Sequence, residues 1–261
     1  MYDAKSNDVY VLAAVDCLLD LNFVVDSSGS ISRRDWNTTL QFVANVASLF
    51  EIGPDDVQVA FVIFSDVATV EWSLTRYPDK TTLINAIYNV SYIGSSTNLN
   101  DGLYLTRSVV FAAGRGVRDK ATKVTVILTD GVDNVPEVGT PWTIENATLC
   151  KNDGIWLIAI GVSDGIDSDR LLQIATSPED FYAVADFEAL ADITGRLSTH
   201  ICNVSFPAST FGAPCFIYRV AQKLGHKCCH HCRVGYGSLL TDPTRPDPSA
   251  HGPNPTRPTT N

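Results

Sequence analysis

Within Leu21 to Ser30, L-N-F-V-V-D-S-S-G-S, an apolar run stops at Asp26, and Ser28 and Ser30 follow at alternate positions. Spaced in this way along a turn, one carboxylate and two hydroxyls can converge on a point, and three hard oxygen donors are the chemistry of a hard cation. Gly29 is expected to let the backbone bend between them. Two other polar turns add donors. G-S-S-T-N-L-N-D-G-L at Gly94 to Leu103 supplies Thr97, and T-D-G at Thr129 to Gly131 supplies Asp130. Magnesium takes near-octahedral oxygen ligation, retains water readily and uses one or two protein carboxylates. Two aspartates with three hydroxyls match that count. So few negative charges leave the ion under-neutralised, with a position for water or an incoming carboxylate. The expected cofactor is Mg2+ or Mn2+, with Ca2+ ranked behind them.

Taken singly, each turn has an ordinary structural role. Asp and Ser favour helix caps, T-D-G makes a common turn, and one threonine says nothing. The three together point to metal because of where they must sit. Loops that follow different parallel strands meet at one sheet edge, where open α/β folds bind their ligands.

The elements that would put them there alternate along the chain. Ser32 with Asp35 three residues on resembles a capping box, and Trp36, Leu40, Val43, Ala47 and Phe50 recur at helical spacing. Val57 to Phe64 is a nearly unbroken apolar run of strand length, as a strand buried on both faces requires. Val67 to Leu74 alternates and reads as its hairpin partner at the sheet edge. Further helices are expected over Lys80 to Asn89, through Leu99, Leu103 and Val110, and over Ile144 to Asn152, Asp169 to Ala175 and Phe187 to His200. Further strands are expected over Lys123 to Leu128, Ile155 to Val162 and Phe181 to Val184. The loop Gly114 to Asp119 reads as a solvated connection. Such alternation specifies right-handed βαβ units. The fold class is α/β, a doubly wound, mostly parallel, Rossmann-like sheet with helices on both faces, followed by a Cys-rich and disordered C-terminal tail.

With these motifs placed, the sequence resembles the von Willebrand factor type A (VWA) domain and its metal-ion-dependent adhesion site (MIDAS). D-x-S-x-S ends the first strand, a threonine stands in an S-T-N turn that opens a helix, and T-D-G ends a later strand, in that order. F-V-V-D-S-S-G-S-I, V-I-L-T-D-G and A-I-G-V at Ala159 to Val162 are most similar to matrilin and non-fibrillar collagen domains. The likeness covers Asp16 to Cys202. It implies that Ser28, Ser30 and Thr97 ligate the metal directly or nearly so, and that Asp26 and Asp130 often act through water. An acidic residue of a protein partner would complete the coordination.

Composition removes other classes. A net charge of -10 over 261 residues argues against nucleic acid and anionic membranes, which are gripped by clustered Lys and Arg. No apolar run reaches the roughly 18 residues of a membrane span. Catalysis is not expected either. All five histidines lie at His200 or beyond, so a Ser28 nucleophile lacks a base among the strand-end loops. No G-x-S-x-G surrounds Ser28 and no phosphate-binding G-x-x-x-x-G-K-[ST] loop occurs. A phosphoryl-accepting Asp26 would want a second acid where Ser28 stands.

Seven cysteines are unevenly placed. Cys17 and Cys202 bracket the folded part, and a disulfide between them would tie its ends, contributing up to about 5 kcal/mol by chain entropy. Cys150 reads as a small buried hydrophobe. Sequons for N-glycosylation begin at Asn37, Asn89, Asn146 and Asn203, and with the bracketing cysteines they favour a secreted, oxidising setting. Residues 1–16 form a lead-in with a poor signal-like n-region, and 17–202 the folded domain. Residues 203–236 carry Cys215 and the cluster K-C-C-H-H-C at Lys227 to Cys232, which matches no ordinary zinc spacing. Residues 237–261 are a Pro- and Thr-rich tail expected to stay disordered. The sequence thus predicts a secreted adhesion or extracellular-matrix protein whose cation binds an acidic residue of a matrix protein, collagen-like or other, with scope for self-association. The alternative is a structural matrix component assembled through disulfides and surface contacts, its metal only stabilising the fold.

Overall fold

The computed structural model describes residues 17–131 and 140–204, so the lead-in and most of the two C-terminal segments expected above lie outside the described residues. Six strands form one sheet: β1 (Leu19–Asp26), β2 (Val57–Phe64), β3 (Ala68–Trp72), β4 (Thr122–Thr129), β5 (Ile155–Val162) and β6 (Phe181–Val184). Their order is β3-β2-β1-β4-β5-β6, and every neighbouring pair is parallel except β2 with β3. The chain winds outward from β1 to β3, returns to β4 beside β1, and winds the other way. The reversal therefore falls between β1 and β4, whose carboxyl ends frame the crevice where such sheets bind ligands. Asp26 is the last residue of β1 and Asp130 follows the last of β4.

Among the described residues six α-helices cover the sheet: α1 (Arg33–Ser48), α2 (Lys80–Tyr88), α3 (Leu99–Leu105), α4 (Thr140–Asn152), α5 (Ser168–Ile174) and α6 (Leu190–Asn203), with α3 widening into a π turn over Thr106–Val110. Because strand side chains alternate, Leu19, Leu21, Phe23 and Val25 of β1 join Leu40, Val43, Ile87 and Leu197 of α1, α2 and α6 in one core layer. Val24 faces the other layer, with Leu99, Leu103, Ala147 and Leu171 of α3, α4 and α5. Each such Leu, Ile, Val or Phe side chain contributes about 1.5–3 kcal/mol when fully buried, which is why near-continuous apolar runs give the central strands. The expected doubly wound fold is present. Only half of the expected capping box forms. The Asp35 amide donates to Ser32 Oγ at 3.2 Å, but the Asp35 carboxylate takes the Ser32 hydroxyl at 2.6 Å. Since Ser32 caps α1, Asp26, Ser28 and Ser30 are released from that duty. The last helix starts at Leu190, later than its apolar pattern suggested, because Phe187 to Ala189 form a turn anchored by the Ala189 amide on Asp186 Oδ1, 2.9 Å.

Two polar clasps hold the fold away from the ligand edge. Arg118, in the loop expected to be a solvated connection, instead covers the wholly buried Asp20 of β1. Its Nε and backbone N–H donate to the two Asp20 oxygens, both at 2.8 Å, and its remaining guanidinium nitrogens reach the carbonyls of Leu19, Pro54 and Asp56. The second clasp is Asp180, also wholly buried. It accepts from Trp156 Nε1 (2.8 Å), Ser177 N (2.9 Å) and Ser177 Oγ (2.7 Å), and lies 2.6 Å from His200 Nε2 on α6. Burial pushes the Asp180 carboxyl up, but these hydrogen bonds more than offset it and hold the group below its ordinary pKa. Asp180→Ala strands several donors and is expected to cost about 2–4 kcal/mol in urea denaturation. A loss below about 0.5 kcal/mol, the scale of an ordinary surface change, would show that the clasp does not hold α6.

Candidate metal centre at the carboxyl edge of the sheet

β1 delivers Asp26 on the Val24 side of the sheet, under α3, where its carboxylate is wholly buried. Oδ1 accepts the Ser28 amide at 2.8 Å, and Oδ2 accepts the Thr129 hydroxyl at 2.6 Å. Thr129, which ends the strand beside β1, is thus a positioning residue for Asp26. Ser28 Oγ lies 3.0 Å from Ser30 Oγ, and the Ser30 hydroxyl donates to Asp130 Oδ1 at 2.7 Å. Hydrogen bonds therefore link Asp26, Ser28, Ser30 and Asp130, four of the five residues named from the sequence. The set rises from buried Asp26 and Ser28 to exposed Ser30 and half-exposed Asp130, so it opens to solvent on the Ser30–Asp130 side.

Thr97 is buried at 3% exposure on a loop laced to the same turn. The Gly29 amide donates to Ser95 O (2.7 Å), Gly94 N to Ser27 O (2.8 Å) and Ile93 N to Ser27 Oγ (2.9 Å). Ser65, at the end of β2, accepts from Ser95 N and donates to Ser96 O, both at 3.0 Å. Gly94 has φ +81°, and a Cβ there would also lie 2.8 Å from the Tyr92 ring. Gly29 has a different reason from the bend expected of it. A Cβ would sit 3.3 Å from the carbonyl oxygens of Gly94 and Ser95, so glycine permits the two loops to close on each other. Tyr92 Oη reaches the carbonyls of Ile31 (2.6 Å) and Ser28 (3.1 Å) and braces the first turn from behind. Ser27, Ser65, Tyr92 and Thr129 were not foreseen. Of these Ser65 carried a legible signal, since it too directly follows a buried strand.

Burial pushes the Asp26 pKa up to about 6, against the hydrogen bonds from Thr129 and Ser28, with a smaller upward push from the charge of Asp130. Burial also raises Asp130, against the Ser30 hydrogen bond. Two carboxylates whose charged forms are disfavoured, beside the Ser28 and Ser30 hydroxyls, make a set that a cation would relieve. The described residues hold no group of three or more His, Cys, Asp or Glu side chains suited to a metal. The Asp and Ser oxygens fit a hard cation that takes oxygen ligands and retains water.

The sequence model of the von Willebrand factor type A domain matches residues 20–196. The chain belongs to this family. Its VWA domain is 33% identical over 186 residues to the collagen alpha-1(XII) chain of Notophthalmus viridescens, covering 70% of this chain and 19% of that one. Matrilin-3 of Homo sapiens is 27% identical over 235 residues, covering 85% and 44%. Among solved structures, proximal thread matrix protein 1 from the mussel byssus, with a zinc-occupied MIDAS motif, matches at TM-score 0.65 and 31% identity, covering 74% of this chain and 47% of that one. The chain spans less than half the length of each of these relatives. No helix of the described residues is long and apolar enough to cross a membrane.

The other marked residues of the VWA domain separate by environment. Cys17 and Cys202 are buried in one apolar layer. Cys150 is buried in the other, its thiol pushed up to about 12 by burial and 3.6 Å from Leu103 O, as a small hydrophobe should be. Asn37, Asn89 and Asn203 are exposed. Asn146 is half-buried on α4, where its Nδ2 donates to Asn100 Oδ1 of α3 at 2.7 Å. In chain produced by a secretory host, site mapping after glycosidase treatment is expected to find glycans at Asn37, Asn89 and Asn203 and none at Asn146. Modification at Asn146 would contradict this division.

Proposed function

We propose that this VWA domain is an extracellular adhesion or matrix module. It holds a divalent cation, magnesium by preference, among Asp26, Ser28, Ser30, Thr97 and Asp130, and uses the open position to bind a carboxylate of a protein partner. The observation that carries this reading is the linked set of hard oxygens that opens to solvent at Ser30 and Asp130. The cation would supply the charge that a partner carboxylate needs. Asp26, fixed by Thr129 and the Ser28 amide, anchors the buried side, while the laced loops keep the hydroxyls preorganised. The zinc-occupied motif of the byssal relative and the matrix setting of the collagens and matrilins support it. The reading is of a binding module and not an enzyme: His200 is engaged by Asp180, which precedes β6 and so lies at the edge opposite the strand-end loops.

The test is a carboxylate titration. With manganese bound to the chain, adding a blocked glutamate peptide should lower the water-proton relaxation enhancement by displacing metal-bound water, and the glutamine analogue should not. Equal effects of the two peptides would refute a carboxylate-accepting position. The structural alternative draws on the byssal relative being a thread matrix protein and on Cys17 and Cys202 sharing one core layer. It predicts assembly that survives chelator but not reductant, and a Cys17–Cys202 disulfide in the peptide map of the secreted chain.

A further inference from the structure

Among the described residues, the loops at the carboxyl edge of the sheet carry acids and no bases. The described loops at that edge carry Asp66, Asp130, Asp164, Asp167, Asp186 and Glu188 and contain neither Lys nor Arg. Basic side chains enter only with the helices that follow. Arg170 of α5 is buried at 5% exposure. Arg34 of α1 is exposed and taken up by Glu188 at 2.7 Å. Arg33, in the first turn of α1 directly after the Ser28–Ser30 turn, is exposed, and among the described residues it pairs with no carboxylate. Its guanidinium instead stacks over the Tyr92 ring, 5.3 Å from the centroid. Tyr92 is the residue whose hydroxyl holds the Ser28 and Ile31 carbonyls, so Arg33 is parked against the support of the metal turn. Next to Tyr92 stands Ile93, 43% exposed on a backbone pinned by its amide to Ser27 Oγ.

We infer that Arg33 is a specificity-determining residue that reads a second carboxylate on the partner, so that the segment bound at this edge is diacidic, one acid meeting the cation and the next meeting Arg33 across Ile93. Charge complementarity fixes the direction. Along the loops that follow β2, β4, β5 and β6 the described edge presents acids that repel a second carboxylate, and like charges suppress wrong orientations while unlike charges favour the right one. The stacked arginine keeps donors free while its geometry is held by the ring. The inference rests on the cation-bridged reading above.

The experiment uses the full chain saturated with Mg2+ and two blocked peptides, Ala-Glu-Ala-Glu-Ala and Ala-Glu-Ala-Gln-Ala, titrated by NMR. The diacidic peptide is expected to bind about two- to five-fold tighter, the range of one exposed ion pair. Arg33→Gln should equalise the two peptides while leaving magnesium uptake unchanged, and Arg34→Gln should preserve the preference. Equal affinities on the natural chain, or loss of the preference in Arg34→Gln alone, would overturn the role of Arg33 while leaving carboxylate binding intact. Failure of both peptides to bind the magnesium-loaded chain would remove the underlying reading and this inference with it.

Discussion

In chelator, Asp26→Asn is expected to fold more stably at pH 7 than the natural chain, by up to about 3 kcal/mol, and to have lost cation binding. The reason lies in the burial of the carboxylate, which raises its pKa to about 6 from an unfolded value near 3.9. The folded state then holds the proton more tightly than the unfolded one. Stability from this group is therefore complete below about pH 4, falls as pH rises through the window from about 4 to 6, and is gone above it, at about 1.4 kcal/mol for each pKa unit. Asparagine cannot ionise, so this pH dependence should vanish from the variant. With its one oxygen accepting the Ser28 amide, asparagine turns its NH2 group towards the Thr129 hydroxyl, which donated to the carboxylate, so the gain will fall short of the full figure. Saturating Mg2+ should restore the natural chain at pH 7 and leave the variant unmoved. Urea denaturation at pH 4 and pH 7, with and without the ion, reads all four values. A natural chain whose chelated stability does not decline between those pH values would contradict the cost assigned to Asp26.

The largest loss is expected at the other end of β1. Arg118→Met removes the partner of a carboxylate with no solvent exposure, and stranding a buried charge in this way costs about 3–5 kcal/mol. The double substitution Asp20→Leu with Arg118→Met should recover much of that loss, because replacing both members of a buried pair with apolar groups is often near neutral. Denaturation midpoints of the two single variants and the double variant close the cycle. A cost below about 1 kcal/mol for Arg118→Met, typical of an exposed pair, would mean that Arg118 is only a surface residue.

That arginine marks where sequence reading ends. Apolar periodicity located β2 and β5 to the residue, because a strand buried on both faces has to be apolar throughout, and it located the half-exposed edge strand β6 as well. The ligand edge was equally legible, since Asp26 and Asp130 interrupt such runs at their carboxyl ends, and the structure links both to Ser28 and Ser30. Arg118 and Asp20 are 98 residues apart, and nothing local to G-R-G-V-R-D distinguishes a clasp from a solvated loop. Ser27 and Tyr92 were hidden for the same reason, as each acts on a segment more than sixty residues away. The start of α6 was misplaced because Phe187 is buried and so continues the apolar period of a helix to which its backbone does not belong.

The central claim is that the five oxygen-bearing residues at this edge hold a divalent cation. Calorimetric titration of the full chain with Mg2+ and with Mn2+, beside Asp130→Ala, tests it most directly. The account predicts saturable uptake at one site that the substitution abolishes while the circular dichroism spectrum of the fold is unchanged. A natural chain that is demonstrably folded and takes up neither ion would contradict it.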